Sequence, residues 1–426
     1  MLYQAYELQR SWMNSMSAVA SISAEMLSNP ANPFAKVGLA PMAANALDVF
    51  AHATAHYEKP AFGITDIDID GTVHPVIEAT VMNKPFGDLK RFRLDGITEE
   101  QRALRPKMLI VAPMSGHYAT LLRGTVERML QKFEVYITDW ADAKKVPLHE
   151  GSFDLDDYID YLIEFLEYVD EVEPHGKQRM RPHMLAVCQP SVPAFAATAL
   201  MNQRGSLATP ATLTMMGGPI DTRESPTTVN DHAMNRPIEW FRNSVIATVP
   251  MNYRGHGRKV YPGFMQLSAF MSMNLQSHMM SHYEMFKHLT AGDQDSAQAT
   301  KDFYDEYRAV CDMTAEFYLQ TVEEVFQKHS IPNGEFRHKG EIVDLTQIKD
   351  TALLAIEGER DDISGLGQTR AALKLATGLA DDKKKYFMAE GAGHYGIFNG
   401  SRWRTKVAPA VEEFVEAHPG RSMKTS

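Results

Sequence analysis

Cysteine is nearly absent: two residues in 426, Cys188 and Cys311, exclude a disulfide framework, and neither has the paired Cys/His spacing of a structural zinc site. Long basic tracts are missing too. Lys plus Arg number 43 against 54 Asp plus Glu, a formal charge of −11, so no nucleic-acid partner is expected. No run approaches the roughly 18 apolar residues that would span a bilayer, and the uncharged residues 11–24 are diluted by serines and an Asn. A basic-then-apolar leader block is likewise lacking, so neither secretion nor a membrane anchor is expected and a reducing cytoplasm fits the two thiols. What remains is ordinary for a folded chain, 44% hydrophobic and 23% charged, and long enough for one elaborated α/β body.

Leu8, Trp12, Met16, Val19, Ile22 and Met26 recur at three- and four-residue intervals. This spacing predicts an amphipathic helix over residues 2–28, ending before Asn29-Pro30, with its apolar stripe docked on the body. A second helical stretch, 41–58, gives way to FGITDIDID, Asp70-Gly71 and TVHPVIEATVM, which read as a hairpin, and FGDLKRFRLDG adds a third antiparallel strand. Residues 1–104 are therefore expected to form an N-terminal helical and β extension. From Lys107 the texture changes to short apolar runs, MLIVAP, VYITDW, HMLAVC and TLTMMG, each followed by a helical pattern, as buried parallel strands of a βα series read. That first part of the core, 105–220, is followed by a helical insertion, 221–339. There TKDFYDEYRAVCDMTAEFYLQTVEEVFQKH predicts one long helix with Cys311 on its core face. The series resumes over 340–426 with TALLAIEGERDD and KKYFMAEGAGH.

HMLAVCQPSVPAFAATALM ends a buried strand at Cys188 and turns at once into a helix, the setting of a nucleophile elbow. A helix N-terminus favours thiolate, and the N–H following the nucleophile can stabilise an oxyanion. Taken alone, Cys188 reads more readily as a buried core residue, the commoner fate of a cysteine. Asp361, three residues past Gly358, and His394, in a Gly-rich loop after the next apolar run, follow in the order such a fold requires. Asp362 and Asp221 remain alternative acids. The oxyanion hole is expected from the N–H of Gln189 and that of Met114 or Ser115, without the side chains of Ser115 and His117. His278 and His282 share the spacing of a helix face but lack a third ligand, so no metal is expected, and GGP and GLG lack the Lys of a phosphate loop.

The stretches MLIVAPMSGHYATLLRGTVE, VYITDWADAKKVP, AVCQPSVP, EGERDDISGLGQT and GAGHYGIFNGSRWR together resemble the intracellular poly(3-hydroxybutyrate) depolymerases, over nearly the whole chain. That family is similar to the polyhydroxyalkanoate synthases. The resemblance implies an α/β-hydrolase fold with a helical cap, Cys188 as nucleophile, Asp361 as orienting acid and His394 as base. Ala186 and Pro190 stand where a G-x-S-x-G lipase has glycines, and Pro190 points away from the synthases, which keep glycine flanks.

The expected activity is carboxylic ester hydrolysis of stored amorphous poly(3-hydroxybutyrate), at the surface of cytoplasmic granules, through a thioester acyl-enzyme. Water resolves it with no cofactor, or coenzyme A serves as the acyl acceptor. A polyhydroxyalkanoate synthase, another carboxylesterase of the fold and a non-catalytic granule-coating protein are the alternatives. Seven methionines fall between residues 251 and 290, of 25 in the chain. Met271, Met273 and Met279 among them are expected either to face the polymer or to form the core of the cap. Oligomeric state is left open.

Overall fold

The computed structural model describes residues 2–33, 35, 37–171, 179–273, 275–291 and 293–422. Nine strands make one sheet: β1 (Asp66–Ile69), β2 (Thr72–Met82), β3 (Gly87–Leu94), β4 (Lys107–Val111), β5 (Glu134–Trp140), β6 (His183–Val187), β7 (Thr212–Met216), β8 (Ala352–Gly358) and β9 (Lys384–Ala389). Their spatial order is β1-β2-β3-β5-β4-β6-β7-β8-β9. From β5 to β9 all neighbours are parallel, and β4 to β8 are buried along their whole length, which is why they read as unbroken apolar runs rather than alternating ones. A mainly parallel sheet, led by antiparallel strands and carrying a strand-turn-helix elbow after a central strand, is the α/β-hydrolase fold.

Asp70 and Gly71 both have positive φ, 52° and 82°, as a two-residue turn between β1 and β2 demands. The antiparallel strands do not form a sheet of their own, as the sequence suggested. Six residue pairs join β3 antiparallel to β5, so the extension continues the central sheet.

The longer helices are α1 (Leu2–Ser28), α2 (Ala40–Thr54), α3 (Arg123–Leu130), α4 (Leu155–Glu171), α5 (Ser191–Gln203), α6 (Gly263–Met273), α7 (Leu275–Ala291), α8 (Gln294–Arg308) and α9 (Ala408–Ala417). Helix α1 docks with the face opposite to the expected one. Tyr3, Ser17, Ala20 and Ala24 are its buried residues, while Leu8, Trp12, Met16, Val19, Ile22 and Met26 are exposed. Small inward residues let α1 approach Ala44 and Ala51 of α2 closely, and the Ser17 hydroxyl donates to the Ala51 carbonyl at 2.7 Å. Tyr3 Oη donates to Asp312 Oδ2 at 2.6 Å, tying the start of α1 to the insertion. Among the described residues no helix is long and apolar enough to cross a membrane.

The insertion contains α6 to α8 and a small sheet of Ala247–Thr248, Lys259–Tyr261 and Met313–Thr314. The single long helix expected around Cys311 is broken. Helix α8 ends at Arg308, and residues 309–314 run extended because Met313 and Thr314 pair with Tyr261 and Val260. Cys311 is buried there, its N–H donating to the Gly116 carbonyl at 2.7 Å, and His117 bridges to Val310. The insertion is thereby fastened onto the loop after β4.

Candidate active site

Strand β6 ends on Cys188, whose φ of +68° is in the left-handed region, a conformation costing a non-glycine residue about 1–3 kcal/mol. The turn is held on both sides: the Cys188 N–H donates to the Met216 carbonyl at 2.7 Å, and the Cys188 carbonyl accepts from the N–H of Ser191, the first residue of α5, at 3.0 Å. Cys188 is half-buried and Cys311 fully buried.

The end of β7 makes room for this turn. A Cβ on Gly218 would lie 2.1 Å from Ser191 Cβ and 3.1 Å from the Cys188 carbonyl oxygen. At Gly217, where φ is +59°, a Cβ would lie 3.2 Å from both Asp361 Oδ2 and His394 Cε1. Glycine is required at both places by close approach.

Asp361 sits three residues past the end of β8 with its side chain fully buried. Its Oδ1 accepts from the N–H groups of Ile363 and Ser364 at 2.9 and 2.8 Å, and its Oδ2 lies 2.8 Å from His394 Nδ1. The Cys188 side chain is near enough to the same ring to act on its charge. Burial alone would disfavour charge on His394, but the Cys188 sulfur and the Asp361 carboxylate outweigh it and hold its pKa well above the usual histidine value. Tyr395 and Phe398 meet the His394 ring edge-on, each centroid 5.8 Å away.

The structure thus brings Cys188, Asp361 and His394 together. Asp362 is exposed, and Asp221 is engaged by Arg223 at 2.8 and 2.9 Å. Met114 N–H donates to Gln189 Oε1 at 3.4 Å, which sets the loop after β4 against the residue following Cys188, with Ser115 half-buried beside it. His117 is elsewhere employed: Nε2 is 3.0 Å from the Tyr307 carbonyl, and burial lowers its pKa to about 4.

Three phenols near the site were not singled out in the sequence. Tyr395 follows His394 directly, and its pKa is pushed far up by burial, then by Tyr307 and the Cys188 charge. Tyr307 reaches it from α8, and Tyr158 on α4, whose hydroxyl donates to the Ala112 carbonyl at 3.1 Å, also feels the Cys188 charge. Adjacency to the histidine was a signal for Tyr395; Tyr158 and Tyr307 sit in amphipathic helices with none. The methionines divide. Met279 and Met280 are exposed, Met271 is half-buried rather than exposed, and Met285 is buried with Leu289 and Ala297. The side chains of Met273 and His278 lie outside the described residues.

Residues 217–419 match the family model described as PHB de-polymerase C-terminus. Among solved structures, a monoacylglycerol lipase from Paleococcus ferrophilus is similar at 14% identity and TM-score 0.41, over 74% of this chain and 96% of that one. A thermophilic esterase from Thermogutta terrifontis is similar at 12% identity and TM-score 0.39, over 84% and 98%. A 2-hydroxy-6-oxo-6-phenylhexa-2,4-dienoate hydrolase from Rhodococcus sp. strain RHA1 is similar at 10% identity and TM-score 0.40, over 80% and 99%. No curated protein matches the chain in sequence. Asp361 and His394 both lie within residues 217–419, the segment that matches the PHB de-polymerase C-terminus model.

Proposed function

We propose that the chain is an ester hydrolase of poly(3-hydroxybutyrate), with Cys188 as nucleophile. The observation that carries this reading is the His394–Asp361 hydrogen bond beside Cys188 at a positive-φ elbow, in a chain whose residues 217–419 match the PHB de-polymerase C-terminus model. His394 takes the proton of the Cys188 thiol as the sulfur attacks, with Nδ1–H donating to Asp361. The sulfur forms a bond to the ester carbonyl carbon, and the oxyanion is met by the N–H of Gln189 and that of Met114 or Ser115. Collapse breaks the carbon–alkoxide bond, and His394 delivers its proton to the departing hydroxyl end. The thioester left on Cys188 is then hydrolysed by a water that His394 deprotonates, and the departing sulfur takes that proton back from His394.

Fixing Asp361 through two backbone N–H groups keeps the imidazole in one orientation through both steps. Exposed Met279 and Met280 on the cap supply an adaptable apolar surface suited to an amorphous polyester at a granule surface. Incubating the protein with amorphous poly(3-hydroxybutyrate) particles should release soluble hydroxybutyrate acids. Release of hydroxybutyryl-CoA only when coenzyme A is supplied would reassign the acceptor, and polymer growth from hydroxybutyryl-CoA would overturn the depolymerase reading in favour of a synthase.

A further inference from the structure

The outward face of α1 has a period that its docking onto α2 does not use. Positions 8, 12, 15, 19, 22 and 26 alternate steps of four and three, the 3.5-residue repeat of a helix seam. Leu8, Trp12, Val19, Ile22 and Met26 occupy five of them and are 57–76% exposed. Ser15 is the sixth, and its hydroxyl already donates to the Ser11 carbonyl at 3.1 Å, so covering it orphans no donor. The helix therefore carries two seams, an inner one of small residues against α2 and an outer one of large apolar residues facing solvent.

We infer that this outer seam pairs antiparallel with the same seam of a second copy, making the chain a homodimer through α1. With a and d positions layered against each other, Leu8 faces the partner's Met26, Trp12 the partner's Ile22 and Ser15 the partner's Val19, so each layer joins a larger residue to a smaller or flexible one. On the flanks, Ala18 meets the partner's Ala18 and Met16 the partner's Met16 across the axis, letting the helices come close. Charge agrees with the arrangement. The only residues of α1 that carry a charge at neutral pH are Glu7, Arg10 and Glu25; Glu7 and Arg10 pair with each other at 2.7 Å, and Glu25 faces the partner's Ser11, so no like charges are opposed. The exposed stripe offers on the order of 700 Å² per copy, which puts the pair in the range of about 1,200–2,000 Å² that a stable interface buries. A lipid surface would call for basic flanks, which α1 lacks, and neither lipid nor an amorphous polymer requires the alternating repeat.

Sedimentation equilibrium of the full chain tests this. Wild type should sediment at twice 47.8 kDa, and the double variant Trp12→Glu/Val19→Glu at 47.8 kDa, with unchanged far-ultraviolet circular dichroism because both side chains point outward. Ala18→Arg, which sets two guanidinium groups against each other across the axis, is the second variant and should weaken dimerisation at least tenfold. A monomeric wild type, or a dimer that both variants leave intact, would overturn the proposal. So would a monomer that co-sediments with amorphous polyester particles only while this face is intact, which would give the seam to the polymer.

Discussion

At the scale of single residues, the account divides similar side chains by their surroundings. Cys188→Ala should lower turnover about a thousandfold or more with the fold retained, whereas Cys311→Ala, whose thiol is buried and pushed far up in pKa by burial, should leave turnover within about twofold. Steady-state hydrolysis of a soluble short hydroxyester measures both. Asp361→Asn should cost far more than Asp362→Asn or Asp221→Asn, since Asp361 faces His394, Asp362 faces solvent and Asp221 is held by Arg223. The raised pKa of His394 also sets a pH profile. Because the Asp361 carboxylate is one of the groups that raise it, Asp361→Asn should move the His394 titration to lower pH, as NMR of the ring protons would read. The three residues of the proposed triad could be picked out together because a strand-ending Cys, an acid and a His follow in a fixed order. Tyr158 and Tyr307 were not, because what places Tyr158 near the sulfur and Tyr307 against Tyr395 is the packing of α4 and α8, which no local motif encodes.

At the scale of elements, apolar runs identified the buried parallel strands β4 to β8, because a strand covered on both faces needs no polar alternation. Pattern failed where pairing or size decided. The stripe of α1 was assigned inward by hydropathy, yet Ala20, Ala24 and Ser17 go inside because they let two helices approach closely. The stretch around Cys311 has helical periodicity, but pairing of Met313 and Thr314 with Tyr261 and Val260 pulls residues 309–314 straight. The glycines closing β7 were visible only as the end of a run, although they clear the space for the elbow. Gly218→Ala should therefore disturb the turn itself: a Cβ 2.1 Å from Ser191 Cβ forces movement worth about 1–3 kcal/mol, read as a lower melting temperature together with a loss of turnover.

At the scale of the whole molecule, two buried imidazoles tie the fold to pH. Burial lowers His117 to about 4 and His183 to about 3, so below about 6.5 the unfolded chain binds protons that the folded one refuses. The stability these two groups confer should be complete above that value and fall on acidification, by about 1.4 kcal/mol per group per pH unit until each folded pKa is reached, so that urea melts between pH 7 and 5 should lose the acid dependence in a His117→Gln/His183→Gln variant. Polymer and small substrates should separate on the cap: Met279→Ser/Met280→Ser should slow turnover of polyester particles several-fold and spare a soluble hydroxyester, because both side chains are exposed and neither touches the triad. The central claim, covalent catalysis at Cys188, is tested most directly by mass spectrometry of enzyme quenched in acid during turnover of a short 3-hydroxybutyrate ester. The account predicts an acyl mass increment on the peptide carrying Cys188, removable by hydroxylamine and absent from Cys188→Ala. An unmodified Cys188 peptide during turnover, with activity retained in Cys188→Ala, would contradict it.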